Sequence, residues 1–126
     1  MGDALASRIA KCDDSFMKLP GVDNAVVADA KIRDYLLAPN HPIGQFKARF
    51  FSALGYDNAN WHELADGLIR HAEEHEVASA QSTEYGTTYL IKGALMGPNG
   101  KSARICVAWI VLRGENVPRL VTAYPD

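Results

Sequence analysis

At Val77 the spacing of apolar residues in this chain changes from every third or fourth position to every second, and that change restricts the available folds more than any other feature. Before it, Ile32, Tyr35 and Leu36, then Ile43, Phe46, Phe50, Phe51 and Leu54, then Trp61, Leu64, Ala65, Leu68, Ile69 and Ala72 recur as helical stripes. After it, Thr87 to Met96, Ser102 to Arg113 and Arg119 to Tyr124 alternate as strands do, with Ser79 to Glu84 a weaker edge strand. Helices first and strands afterwards is the α+β pattern, in which helices gather on one side of a sheet. The expectation is two or three N-terminal helices packed on a four-stranded antiparallel β-sheet. One domain over residues 19 to 126 would follow a leader, residues 1 to 18, holding at most a loose helix around Ala4 to Lys11.

Local signals set the ends of these elements. Leu19-Pro20-Gly21 is a turn, and Ala25 to Val27 a short extended piece. Asp29 is placed to cap a helix from about Ala30 to Leu37 that Pro39 stops. Gly55 reads as the C-cap of the next helix and Asn60 as the N-cap of one running to about Glu76. Gly97-Pro98-Asn99-Gly100 is a hairpin turn by composition. Whether it centres on Pro98-Asn99 or Asn99-Gly100, Thr88, Leu90 and Lys92 share a face with Ile105, Val107 and Trp109. Thr87, Tyr89 and Ile91 then lie on the other face with Arg104, Cys106, Ala108 and Ile110, and Leu120, Thr122 and Tyr124 share one face of the last strand.

With 126 residues, 48% of them hydrophobic, the chain is long enough for one real core and too short for two ordinary domains. Its two cysteines, Cys12 and Cys106, are too few and too distant for a disulfide framework or a zinc site, so Cys106 reads as a buried thiol. His71 and His75 lie four apart on a helix, but Glu73, Glu74 and Glu76 mark that end as a solvated acidic face and no third ligand is evident. No metal or cofactor is expected. No run approaches the roughly 18 apolar residues of a membrane span. The expected location is cytoplasmic, and the same features fit a module from the end of a larger secreted chain.

The densest chemistry lies between Asp34 and Phe51. There His41 sits between Pro39 and Pro42, which stiffen the loop around it. Lys47 is the odd residue near the following apolar stripe. It either lays its methylenes over apolar surface or aims its ammonium at an anion across a cleft. Charge is segregated as well. Lys31, Arg33, Lys47 and Arg49 against Asp34 leave residues 31 to 49 at +3, residues 92 to 126 are also at +3, and residues 50 to 91 are at −6. A net charge of −2 argues against indiscriminate nucleic-acid binding, yet the two basic segments would form a local anion site if they met.

Several of these motifs together resemble one family. Lys31-x-Arg33-Asp34-Tyr35-Leu36-Leu37, His41-Pro42-x-Gly44-x-x-Lys47-Ala48-x-Phe50-Phe51-x-x-Leu54-Gly55-Tyr56, Gly97-Pro98-Asn99-Gly100, Val107-x-Trp109-Ile110-Val111 and the ending Pro118-Arg119-Leu120-Val121-Thr122-Ala123-Tyr124-Pro125 resemble DUF6883. Members of that family are small bacterial domains, found alone and at the ends of large secreted toxin-like proteins. More distantly, the element order, the loop histidine, the helix-borne lysine and the last strand are similar to the barnase, EndoU and RelE-like ribonucleases. That similarity implies metal-independent cleavage of RNA by attack of the 2′-hydroxyl on the phosphodiester. His41 would serve as acid or base, Lys47 and Thr122 would stabilise the phosphate, and Arg104 and Tyr124 would add contacts to its oxygens. Tyr89 or Trp109 would stack a base, although both also suit a core. The resemblance further implies a cognate inhibitor (antitoxin) protein. The competing reading is a non-catalytic interaction module of such a toxin and inhibitor system, with the turn at Gly97 to Gly100 or a strand edge as its contact.

Overall fold

The computed structural model describes residues 18–38, 40–42 and 44–126. The expected leader helix, Cys12, Pro39 and Ile43 lie outside those residues. In chain order come a 3-10 turn at Val22–Asn24, helix α1 at Asp29–Lys31 continuing into one π-helical turn at Ile32–Leu36, helix α2 at Gln45–Ala53, a 3-10 turn at Asn58–Asn60 and helix α3 at Trp61–Glu74. Strands β1 Val77–Ser82, β2 Gly86–Met96, β3 Ser102–Leu112 and β4 Pro118–Pro125 follow. The strands form one antiparallel sheet in the order β1-β2-β3-β4. The fold is therefore α+β, with the helices N-terminal to the sheet.

One face of the sheet carries the core. Ile91 and Leu95 from β2, Ile105, Val107 and Trp109 from β3, and Leu120 and Ala123 from β4 are buried against Ile32, Leu36, Phe51, Leu54, Leu64 and Leu68 of the helices. Burying large apolar side chains in this way contributes roughly 1.5–3 kcal/mol each before entropy is charged. Ala25 to Val27 is extended as expected. Val26 bridges to β4, donating to the Pro118 carbonyl at 2.8 Å and accepting from Leu120 N–H at 3.1 Å. This covers one stretch of the β4 edge.

The pairing register differs from the sequence expectation. Met96 pairs with Ser102, so residues 97 to 101 form a five-residue loop. The odd loop length shifts the register by one residue and exchanges the faces. Tyr89, Ile91 and Gly93 accordingly pair with Trp109, Val107 and Ile105 on the helix-covered face. Thr88, Leu90 and Lys92 pair with Ile110, Ala108 and Cys106 on the opposite one. The reason is tertiary. Asn99 Nδ2 donates to the Ala53 carbonyl at 3.0 Å and the Asn99 N–H reaches Leu54 O at 3.4 Å, so the loop is shaped to close the C-terminus of α2. Gly97 packs where a Cβ would collide with the Leu54 carbonyl.

Other expectations shift as well. β4 does not alternate throughout: Thr122 pairs with Ala108 and Leu120 with Trp109, leaving Val121 as a bulge. Leu120 and Ala123 both reach the core, and Leu120 does not share a face with Thr122 and Tyr124. Asp29 is the first residue of α1 and makes no cap. Asn60 precedes α3 without capping it, because its side chain accepts from Asp57 N–H at 2.7 Å and donates to the Gly55 carbonyl at 2.9 Å. Phe46 is 64% exposed rather than part of the α2 stripe, which centres on Ala48 and Phe51. His71 is fully buried, not solvated.

Candidate functional site

The π-helical turn fixes the first residue of the site. Its widened repeat, with Leu37 N–H donating to Ile32 O at 2.8 Å, sends both Ile32 and Leu36 into the core. Tyr35 is left half-buried at the rim, against β4. The loop after it folds back on this tyrosine. Gly44 sits so close that a Cβ there would overlap the Tyr35 carbonyl, and only glycine permits that approach. Gly44 N–H in turn donates to His41 Nδ1 at 2.8 Å. The imidazole meets the Tyr35 ring edge-on, with centroids 5.2 Å apart at 75°. Because Nδ1 accepts, the proton of the neutral His41 ring resides on Nε2.

Helix α2 brings Lys47 to the same tyrosine. Its Nζ donates to the Tyr35 hydroxyl at 2.8 Å and stands 5.0 Å from the ring centroid. On the other side, the β4 bulge turns Val121 and Thr122 together towards Tyr35. Thr122 Oγ1 is buried and makes no hydrogen bond of ordinary geometry among the described residues, yet it is near enough to act on the phenol. The Tyr35 hydroxyl ionises below the usual tyrosine range, chiefly because of the hydrogen bond from Lys47. Burial opposes this, while Thr122, the Lys47 charge and the Lys31 charge add to it. Stabilisation of a phenolate by adjacent donors and cations is the physical cause.

Tyr35, His41, Val121 and Thr122 line an open groove of about 640 Å³ together with Ala28, Ala30 and Lys31. None of them is acidic, and among the described residues no carboxylate pairs with Lys31 or Lys47. A groove of donors and cations with an ionisable phenol can hold an oxyanion and exchange a proton with it.

Of the residues expected from the sequence, His41, Lys47 and Thr122 come together here. The others do not. Arg104 is exposed and pairs with Asp126 at 3.3 Å, where Lys92 also approaches the carboxylate at 3.6 Å. Tyr124 neighbours Cys106, whose contact together with burial pushes the phenol upward. Trp109 is enclosed in the core and Tyr89 packs against that core, so neither presents a free ring face to the groove. Sequence reading missed Tyr35 and Lys31 as site residues. They are four apart on one helical face just before the histidine loop, and that spacing was the available signal.

His71 and His75 are each held by a backbone carbonyl. Their rings lie 4.5 Å apart, tilted at 36°, His71 Nε2 donates to the Gly93 carbonyl at 3.2 Å, and His75 Nδ1 donates to the His71 carbonyl at 2.9 Å. Among the described residues no group of three metal-ligating side chains occurs, and no helix is long and apolar enough to cross a membrane.

No curated protein sequence matches the chain. Among solved structures, a chain of a contact-dependent growth inhibition toxin–immunity protein complex from Klebsiella pneumoniae 342 has a similar fold. The TM-score is 0.66, with 20% identity over 84% of this chain and 97% of that one. The family model described as a domain of unknown function, DUF6883, matches residues 18–126.

Proposed function

This chain belongs to the DUF6883 family, and from that premise we propose that it is a toxin-type, metal-independent endoribonuclease. In such a reaction the RNA 2′-hydroxyl loses its proton and attacks the adjacent phosphorus. Fixed donors and cations then stabilise the charge on the phosphoryl oxygens. The observation that carries the reading is the meeting of His41, Lys47 and Thr122, from a loop, a helix and a strand, around one polarised tyrosine beside a groove without acidic residues. Similarity of fold to a chain of a toxin–immunity complex supports the toxin setting. It also supports an inhibitor protein that would cover this groove. RNA as substrate places the action in a cytoplasm.

Tightly induced expression in bacteria tests the reading, with wild type compared with His41→Ala and Lys47→Ala and total RNA run on a denaturing gel. Growth arrest with discrete RNA fragments, lost in both folded variants, is the expected result. Intact RNA and normal growth with well-expressed wild type would refute it. A second reading, a non-catalytic interaction module, draws on the neighbouring structure being one member of a two-protein complex. Under that reading both variants bind the inhibitor as wild type does and RNA stays intact.

A further inference from the structure

Lys47 is not among the residues that line the groove, whereas Tyr35, to whose hydroxyl it donates at 2.8 Å, is. A lysine so placed acts through that phenol. His41, for its part, accepts at Nδ1 from the Gly44 N–H at 2.8 Å, which holds its ring edge-on against that of Tyr35. His41 therefore serves here to position the Tyr35 ring. Lys31, which does line the groove, is the cation positioned for direct contact.

The geometry points to Tyr35 as the proton-accepting catalytic residue of this groove, with Lys47 and His41 as its positioning residues and with Lys31 as the cation that holds the phosphate. This assignment rests on the ribonuclease reading and deepens it. In the step, the Tyr35 phenolate oxygen takes the proton of the RNA 2′-hydroxyl while that oxygen bonds to phosphorus. The bond from phosphorus to the 5′-oxygen breaks, and its electron pair stays on the 5′-oxygen. A solvent water protonates that oxygen, and the hydroxide left behind takes the proton from Tyr35. The products are a 2′,3′-cyclic phosphate and a 5′-hydroxyl end. Lys47 stabilises the phenolate between turnovers through its hydrogen bond, in line with the downward shift of the Tyr35 hydroxyl.

Two measurements on purified protein test this. In a near-ultraviolet titration of phenolate formation, the earliest step should vanish in Tyr35→Phe and move up by about one pH unit or more in Lys47→Met. With total bacterial RNA as the probe, Tyr35→Phe should cleave about 100-fold or more slowly at every pH. Lys47→Met should move the rising limb of the rate profile upward by the same interval as the titration, and His41→Asn should lower the rate without moving that limb. Tyr35→Phe keeps the ring against His41, and Lys47→Met keeps the buried methylenes, so the two variants check each other for folding. Wild-type cleavage matched by Tyr35→Phe, or a limb that disappears with His41, overturns the assignment while leaving the ribonuclease reading standing. No cleavage by wild type overturns both.

Discussion

At the scale of single residues, one glycine determines whether the site forms. Gly44 allows the histidine loop to touch the backbone of Tyr35. Gly44→Ala is expected to destabilise the fold by about 1–3 kcal/mol, as overpacking does, and to part His41 from Tyr35. Urea denaturation and the loss of ring-to-ring nuclear Overhauser contacts would register both effects. His71 belongs to the core and not to the site. Burial lowers its pKa from 6.5 to about 4, against the opposing hydrogen bond to Gly93 O and with the His75 ring alongside. The unfolded chain therefore takes up a proton near pH 6.5 that the folded chain refuses until about pH 4. Its contribution is fully present above pH 6.5 and lost as pH falls towards 4, on the order of 3 kcal/mol. Urea midpoints measured across that range should fall, and His71→Gln should flatten the curve.

At the scale of elements, two irregularities matter more than the regular parts. The bulge at Val121 lets Leu120 and Ala123 both enter the core while Val121 and Thr122 border the groove. Deleting Val121 would restore strict alternation and force one of the two core residues outward. A loss of about 2–4 kcal/mol is expected, as for a vacated core position, together with removal of Thr122 from Tyr35; denaturation and the Tyr35 titration report the two separately. The five-residue hairpin loop closes the end of α2, which presents Lys47. Asn99→Ala removes the bond to the Ala53 carbonyl and should cost about 1 kcal/mol, with no change in the pH dependence of cleavage. The hairpin turn, read from sequence as a surface available to a partner, thus has an internal role.

For the whole molecule, a net charge of −2 coexists with a groove lined by no acidic residue. The +3 segment at residues 31 to 49 supplies Lys31 and His41 to that groove and Lys47 to the Tyr35 hydroxyl. The basic residue Arg104 of the other +3 segment is engaged instead with Asp126. RNA binding should therefore involve only about two phosphate contacts. The logarithm of affinity should fall with the logarithm of salt at a slope of about −1 to −2, measurable by fluorescence anisotropy with the Tyr35→Phe protein. A slope several times steeper would mean a second basic surface takes part.

The sequence by itself determined the α+β class, the four antiparallel strands and the helical regions that precede them. Each of these follows from periodicity and turn chemistry, which act between residues close in the chain. It did not reveal the register of β2 on β3, because one residue of loop length decides it and α2, distant in sequence, sets that length. Nor did it reveal Tyr35 as the centre of the site, since a tyrosine on a short helix reads equally well as core. Only the tertiary structure brought Lys47, twelve residues on, and Thr122, at the far end of the chain, to the same hydroxyl. An ionisable group owes its chemistry to whatever is packed within a few ångströms of it, and neighbours in space are set by the closing of the sheet against the helices, not by spacing along the chain.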